Sequence, residues 1–259
     1  MKPAYQPALY RSPINLPERS SGKISVRHRI VKEKTPIIGM RQAYTRGVSP
    51  LTVKLTAPLK IHELTEGDGV WMTDLPEELN QIGQMIYEIQ PRGRVLVGGL
   101  GLGIVARTLA ALDQVLTVTV VEKNSDVIKL CADENFRVVH DDIKNFLQTT
   151  NLQFDYFLLD TWAGTNESTW WGTVLPLRRI IRNRFGAKRV IHCWAEDIML
   201  GQVTQSLLNP LNREAWFYNG LPPMNETAAE WFVRYAGSRE WERKYGKIVD
   251  ANYAGGEAE

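Results

Sequence analysis

Apolar residues recur along this chain at changing intervals, and each interval predicts a different element. Ile24, Val26, His28 and Ile30 alternate with Ser25, Arg27 and Arg29, the period-two pattern of a half-exposed strand. Val53-Lys-Leu55 and Val70-Trp-Met72 add short strand candidates. Residues 20–73 therefore read as a small antiparallel sheet, preceded by a loose, proline-containing arm. At residue 74 the interval changes. Asp74-Leu-Pro-Glu-Glu has the marks of a helix start: an aspartate cap, a proline in the first turn and acids at the positive end of the helix dipole. Leu79, Ile82, Met85, Ile86 and Ile89 follow at helical spacing, and Pro91-Arg-Gly93 ends the helix.

From residue 94 strands and helices alternate. Strand 94–98 leads to helix 103–112, strand 117–121 to helix 125–133, and strand 136–140 to helix 142–149. Strand 154–160 precedes helix 169–184, and strand 188–194 precedes helix 196–208. This rhythm predicts an α/β fold: a Rossmann-like, doubly wound, mostly parallel sheet covered by helices on both faces, with a small N-terminal antiparallel β region. Residues 210–248 carry Trp216, Trp231 and Trp241 and predict a closing strand and helices. The expected division is 1–73 for the arm and small sheet, 74–250 for the Rossmann-like domain and 251–259 for a disordered tail.

The turn after the first parallel strand carries the chemistry. Residues 95–103 read Val-Leu-Val-Gly-Gly-Leu-Gly-Leu-Gly, and Glu122 follows the next apolar run, Thr117-Val-Thr-Val-Val121. A β-branched strand, a glycine turn, a helix and a second strand ending in an acid form the first half of a nucleotide-binding βαβ unit. Glycines let the backbone approach a ligand at a helix N-terminus, and the acid accepts hydrogen bonds from ribose hydroxyls. Gly98, Gly99, Gly101, Gly103 and Glu122 are thus the candidate residues for an adenosine-type cofactor. The loop is Gly-x-Gly-x-Gly, its third glycine one place earlier than in the dinucleotide fingerprint, which disfavours a nicotinamide.

Acids recur at later strand ends, where an open parallel sheet binds its ligands. Asp141 and Asp142 follow the third strand, and Asp160 follows the fourth. Capping of the next helix competes for Asp141 and Asp142; an acid after the third strand can also accept from an adenine amino group. Asp160 is the candidate catalytic residue, placed to orient an acceptor or handle its proton. Trp162 is a candidate substrate residue, as an aromatic face beside a cation or a flat acceptor. Trp170 and Trp171 read first as the core of an amphipathic helix. His140 and His192 read as structural histidines, and Glu196 and Asp197 as helix-capping or cleft acids.

Composition narrows the classes. The 259 residues are 44% hydrophobic with a net charge of +2, enough for one large α/β domain. No run approaches the roughly 18 apolar residues of a membrane span, and no apolar segment follows Lys2 as a secretory signal requires. Cys131 and Cys193 lack a CxxC partner and the four histidines are scattered, so no metal site is expected and a cytoplasmic location is. Charge is unevenly placed: residues 1–60 hold twelve bases against Glu18 and Glu33, whereas residues 61–90 hold seven acids and no Lys or Arg. The two segments are complementary, which suggests a homodimer through the N-terminal region. A basic segment can also track a nucleic-acid backbone. Lys and Arg alternating on a sheet face are more often a solvated face, so nucleic acid is not favoured as a partner.

Segment 95–160 resembles the class I S-adenosylmethionine-dependent methyltransferase fold, and within it the spermidine synthase-like branch. That branch runs an apolar strand into glycines without an acid two residues before the first; Val97 fills that place here. Asp68-Gly-Val70 is similar to the strand that precedes the cofactor domain in polyamine synthases. Val139-His-Asp-Asp-Ile143 is similar to their adenine-contact segment, which aligns Asp142 with the adenine acid, and Phe154-Asp-Tyr-Phe-Leu-Leu-Asp160 to the strand carrying their first active-site aspartate. The resemblance implies S-adenosylmethionine as cofactor, Asp141, Asp142 and Ile143 at the adenine, and a small-molecule acceptor. Three positions that hold the amine in polyamine synthases differ: Leu102 replaces an acid in the glycine loop, Ala163 a second aspartate, and Met72 a glutamine. Methyl transfer is therefore the first function implied. Aminopropyl transfer, or a non-catalytic protein retaining the fold, are the alternatives.

Overall fold

The alternating segment pairs as expected. Strands β1 (Arg19–Ser21), β2 (Ile24–Val31), β5 (Leu59–Glu66) and β6 (Gly69–Thr73) form an antiparallel sheet in the order β1-β2-β5-β6. Ile24 and Val26 are buried on one face, but Ile30 is 61% exposed and Val31, on the opposite face, is buried instead. A separate antiparallel pair joins β3 (Pro36–Ile38) and β4 (Thr52–Lys54). The computed structural model describes residues 12–33, 35–38, 52–162, 164–209, 221–222 and 224–253.

The predicted helix after this sheet is α1 (Pro76–Ile89), yet its expected cap is not a cap. Leu75 occupies the N-cap position, and no side chain closes the first turn. Asp74 is buried and turned back to β5: its Oδ1 accepts the His62 N–H at 2.6 Å and its Oδ2 lies 2.8 Å from His62 Nδ1. The Asp74 N–H donates to His62 O at 3.2 Å. A buried carboxylate gains more from two donors in the protein interior than from exposed helix N–H groups that water can satisfy.

Beyond α1 come β7 (Gly93–Gly98), α2 (Ile104–Ala110), β8 (Val115–Glu122), α3 (Ser125–Cys131), β9 (Arg137–His140), α4 (Ile143–Thr149) and β10 (Tyr156–Leu159). These four strands are parallel, in the order β10-β7-β8-β9. The architecture is α/β, a Rossmann-like parallel sheet flanked by helices, with a small antiparallel sheet from the N-terminal region. Helix α2 packs on β8, and α3 packs on β8 and β9 and also on β1 and β2. Ser21 Oγ donates to Asp126 Oδ1 at 2.7 Å, and the Arg19 guanidinium donates to Leu130 O. The strands were expected in this sequence because their centres are rich in apolar, β-branched and aromatic residues: Val95, Leu96, Val120, Phe157 and Leu159 are all buried.

The chain forms two compact units, Met1–Phe146 with Asn151–Asp160, and Leu147–Thr150 with Thr161–Glu259. The antiparallel sheet and β7–β10 belong to the first. The second contains α5 (Glu167–Thr169), α6 (Leu175–Phe185), β11 (Val190–Cys193), α7 (Glu196–Leu208), α8 (Glu226–Arg234), α9 (Arg239–Trp241) and α10 (Lys247–Tyr253). A π-helical turn over Trp170–Val174 joins α5 to α6, and another over Glu242–Gly246 joins α9 to α10. Its core is aromatic: Trp171, Phe232, Trp241 and Tyr245 meet with ring centroids 5.1 to 6.0 Å apart. The helix α10 reaches into the segment expected as a tail, while residues 254–259 and Trp216 lie outside the described residues.

His62→Ala removes the ring partner of a buried carboxylate and should cost about 3 kcal/mol of stability. Urea denaturation followed by circular dichroism measures it; a loss below about 1 kcal/mol would mean that Asp74 finds another donor.

Candidate functional site

Strand β7 leads to β8 on one side, and β10 lies on its other side. That reversal is the topological switch point of an open parallel sheet, where ligands bind at the carboxyl ends of the strands. Both ends are tied together here: the Asp160 N–H, just past β10, donates to O of Gly98, the last residue of β7, at 2.9 Å.

The glycine loop fills this edge. Gly99, Gly101 and Gly103 have φ of 90°, 52° and 77°, the left-handed region that favours glycine. Glu122, at the end of β8, is bound into the loop: its Oε2 accepts the Leu100 N–H and its Oε1 accepts the Asn124 N–H, each at 2.8 Å. A carboxylate offers about four acceptor positions, so two remain after these bonds. Over the loop lies Met72, whose Sδ accepts the Leu102 N–H at 3.4 Å and would sit 2.5 Å from a Cβ placed on Gly101. Gly103 has a different reason to be glycine. A Cβ there would collide with the Arg107 guanidinium, which donates to Leu102 O at 2.9 Å and to Cys131 O at 3.1 Å and pairs with Asp133 at 3.1 Å. Gly103 thus serves the packing of loop against helix.

The acids after β9 are engaged locally. Asp142 Oδ1 accepts the Lys144 N–H at 2.8 Å and the Asn145 N–H at 3.3 Å, which makes it the cap of α4. Asp141 takes the Asn145 side-chain amide on both oxygens, at 2.8 and 3.1 Å, and Ile143 is buried. His140 rests on Lys123 O at 3.0 Å.

The fourth strand end brings together acids that sequence reasoning did not connect. Asp160 is exposed, as its place at the sheet edge requires. Glu78, read from sequence only as an acid in the first turn of α1, is held by the Thr73 N–H and Oγ1, both on its Oε2, at 3.1 and 3.0 Å. Burial raises its pKa from an ordinary 4.5 to about 7; the two Thr73 bonds oppose this, and the charges of Asp160 and Asp74 add to it. No signal in the sequence marks Glu78. Its setting depends on β6 folding back over α1.

In the second unit, Trp162 is half-buried and donates its Nε1–H to Trp194 O at 3.2 Å. Trp170 and Trp171 are core residues, as their helical spacing suggested. Glu196 is neither a cap nor open to solvent: its Oε2 accepts from Arg178 Nη1 at 2.7 Å, and burial raises its pKa against that attraction. Among the described residues no cluster of three His, Cys, Asp or Glu is arranged to hold a metal, and no helix is long and apolar enough to cross a membrane.

No protein-family model matches the chain, and no curated protein matches it in sequence. Among solved structures it is similar to a SAM-dependent methyltransferase from Archaeoglobus fulgidus, at 18% identity and a TM-score of 0.36, over 44% of this chain and 49% of that one. A methyltransferase from Podospora anserina bound to SAH matches at 15% identity and a TM-score of 0.34, over 70% of this chain and 68% of that one. The spermidine synthase of Thermotoga maritima matches at 14% identity and a TM-score of 0.35, over 61% and 53%. The chain spans about half the length of the first of these structures.

The raised pKa of Glu78 makes stability depend on pH in a defined direction. The folded chain holds a proton there that the unfolded chain has already lost. The stabilisation is therefore full below pH 4.5 and is lost as pH rises through about 7. Glu78→Gln keeps an oxygen for Thr73 and removes the titration, so it should gain at most about 3 kcal/mol over wild type between pH 5 and 8. Urea titrations at both pH values test this; parallel pH dependences of the two proteins would show that Glu78 is not the group responsible.

Proposed function

We propose that this chain binds S-adenosylmethionine at the glycine-loop edge and transfers its methyl group to a small-molecule acceptor. The observation that carries the reading is the bond between Glu122 and the glycine loop at the switch point. It fixes a carboxylate, with two acceptor positions to spare, beside a left-handed backbone that favours glycine.

The residues fit an adenosine ligand. The two spare positions on Glu122 suit the two hydroxyls of a ribose. The left-handed backbone at Gly99 and Gly101 brings main chain to the surface without side chains. Met72 is what must yield, and a thioether is a weak acceptor on a flexible stem, so little is lost when it swings away. Asp141, Asp142 and Ile143, at the end of β9, are assigned to the adenine; the caps made by Asp142 leave its Oδ2 for an amino group. When bound, the sulfonium supplies an already activated methyl group. What this chain must do is align an acceptor with it, exclude water and hold a proton. Asp160 orients the acceptor. Aminopropyl transfer asks for anions around a longer cationic substrate; Met72 and Leu102 supply none, so methyl transfer is favoured.

Calorimetry with S-adenosylhomocysteine tests the binding. Wild type should bind; Glu122→Ala should lose about 10- to 100-fold from two charge-assisted hydrogen bonds, and Gly101→Val should lose binding by blocking the loop. A wild-type protein that does not respond to millimolar ligand is not a methyltransferase of this kind.

For Asp160, the Asn variant keeps shape and hydrogen bonding while removing the charge. Affinity for S-adenosylhomocysteine should stay near normal while single-turnover transfer falls on the order of 10²-fold. Unimpaired transfer would reduce Asp160 to a structural residue of the strand end.

A further inference from the structure

Two bonds fix Glu78, and two contacts of neighbouring residues tie its surroundings to the glycine loop. Thr73 holds its Oε2 through the main-chain N–H and the hydroxyl, at 3.1 and 3.0 Å. The preceding residue, Met72, touches the Leu102 N–H inside the loop. At the start of the same loop, Gly98 O takes the N–H of Asp160. The charged groups that face Glu78 are Asp160 and Asp74. Asp74 is buried and committed to His62, which leaves Asp160 as the carboxylate at the open side of the edge. Both hydrogen bonds from Thr73 fall on Oε2, so a proton arriving at Glu78 goes to Oε1.

We propose that Glu78 is the proton acceptor of this site, taking the proton that an N–H or O–H acceptor loses on transfer, while Asp160 orients that acceptor. This rests on the methyl-transfer reading above. The acceptor's lone pair becomes the bond to the methyl carbon, and the pair of the broken carbon–sulfur bond stays on sulfur. The electrons of the N–H or O–H bond stay on the acceptor, and its proton passes to Glu78 Oε1. No oxidant or reductant enters. A base is most useful when it binds its proton near the working pH, and a fully solvated carboxylate is too weak for that. Burial of Glu78 and the neighbouring acids correct the deficiency.

Two measurements on the full chain test the proposal without an acceptor. In protein labelled with ¹³C-glutamate, the Glu78 carboxyl should titrate near pH 7, as the resonance missing from Glu78→Gln. Its midpoint should fall by at least half a pH unit in Asp160→Asn. Calorimetry should then compare S-adenosylmethionine, a sulfonium cation, with neutral S-adenosylhomocysteine. A carboxylate at the reactive end favours the cation only when ionised, so the ratio of the two affinities should rise at least threefold between pH 6 and 8. In Glu78→Gln the ratio should stay flat, with affinity for S-adenosylhomocysteine unchanged. A Glu78 that titrates like surface glutamates, or a ratio that rises equally in the Gln variant, overturns the proposal alone. Absent binding of S-adenosylhomocysteine by wild type overturns the methyl-transfer reading, and this proposal with it.

Discussion

The buried pair of His62 and Asp74 decides where the site lies. Asp74 follows β6 directly, and its carboxylate is committed to two donors on β5. The chain must therefore turn at residue 74, and α1 starts at Pro76 with Leu75 in the cap position. That start sets the phase of the helix, so Glu78 falls back against Thr73 rather than pointing to solvent. It also ends β6 where Met72 reaches the glycine loop. One buried polar contact thereby positions both the group that covers the loop and an acid that feels the charge of Asp160. A leucine pair of similar volume would pack as well, but it would not fix the turn with direction and register.

The glycine loop shows how structural and ligand roles overlap. The loop N–H of Leu100 and that of Asn124 both use Glu122, so this acid holds β8, the loop and the turn before α3 together without any ligand. Leu102 uses Met72. These two loop N–H groups, of Leu100 and Leu102, thus have partners that avoid the cost of burial unmet. Of these, Glu122 can keep its protein bonds and add ligand bonds. The Met72 contact is exchanged. The asymmetry means that ligand binding costs a weak sulfur hydrogen bond and leaves the backbone geometry set in advance.

Much of this was legible in the sequence because it rests on local pattern. The apolar runs of β7, β8 and β10, the glycines between β7 and α2, and the acids at the strand ends follow from periodicity and turn chemistry, and the structure places them as expected. The misreadings came where a distant partner outbids a local one. Asp74 looked like a cap because its neighbours suit a helix start, but His62 lies twelve residues back on another strand. Gly103 carries a packing demand the local pattern does not show: the space beside it is taken by Arg107, whose partners Cys131 and Asp133 lie at the end of α3 and just past it. The alternation of β2 fails at Ile30 because sequence cannot say what covers each face of a sheet. Glu78 was invisible for the same reason: nothing in Pro-Glu-Glu says which acid meets Thr73.

The two acids at the switch point carry a cost that the rest of the fold does not explain. Burying Glu78 near Asp160 and Asp74 opposes its ionisation, and a hydrophobic residue at position 78 would avoid that penalty at neutral pH. Thr73 partly offsets the cost with two hydrogen bonds to one oxygen, an arrangement that fixes the carboxyl in place without relieving the repulsion. An acid held firmly, poorly solvated and beside another acid is unfavourable for stability and well suited to exchanging a proton. The acid it interacts with, Asp160, lies at the carboxyl edge of the sheet, where a Rossmann-like fold places its reactive chemistry. Strain and opportunity coincide at Glu78, which is the physical ground for assigning it a task in transfer rather than in holding the helix.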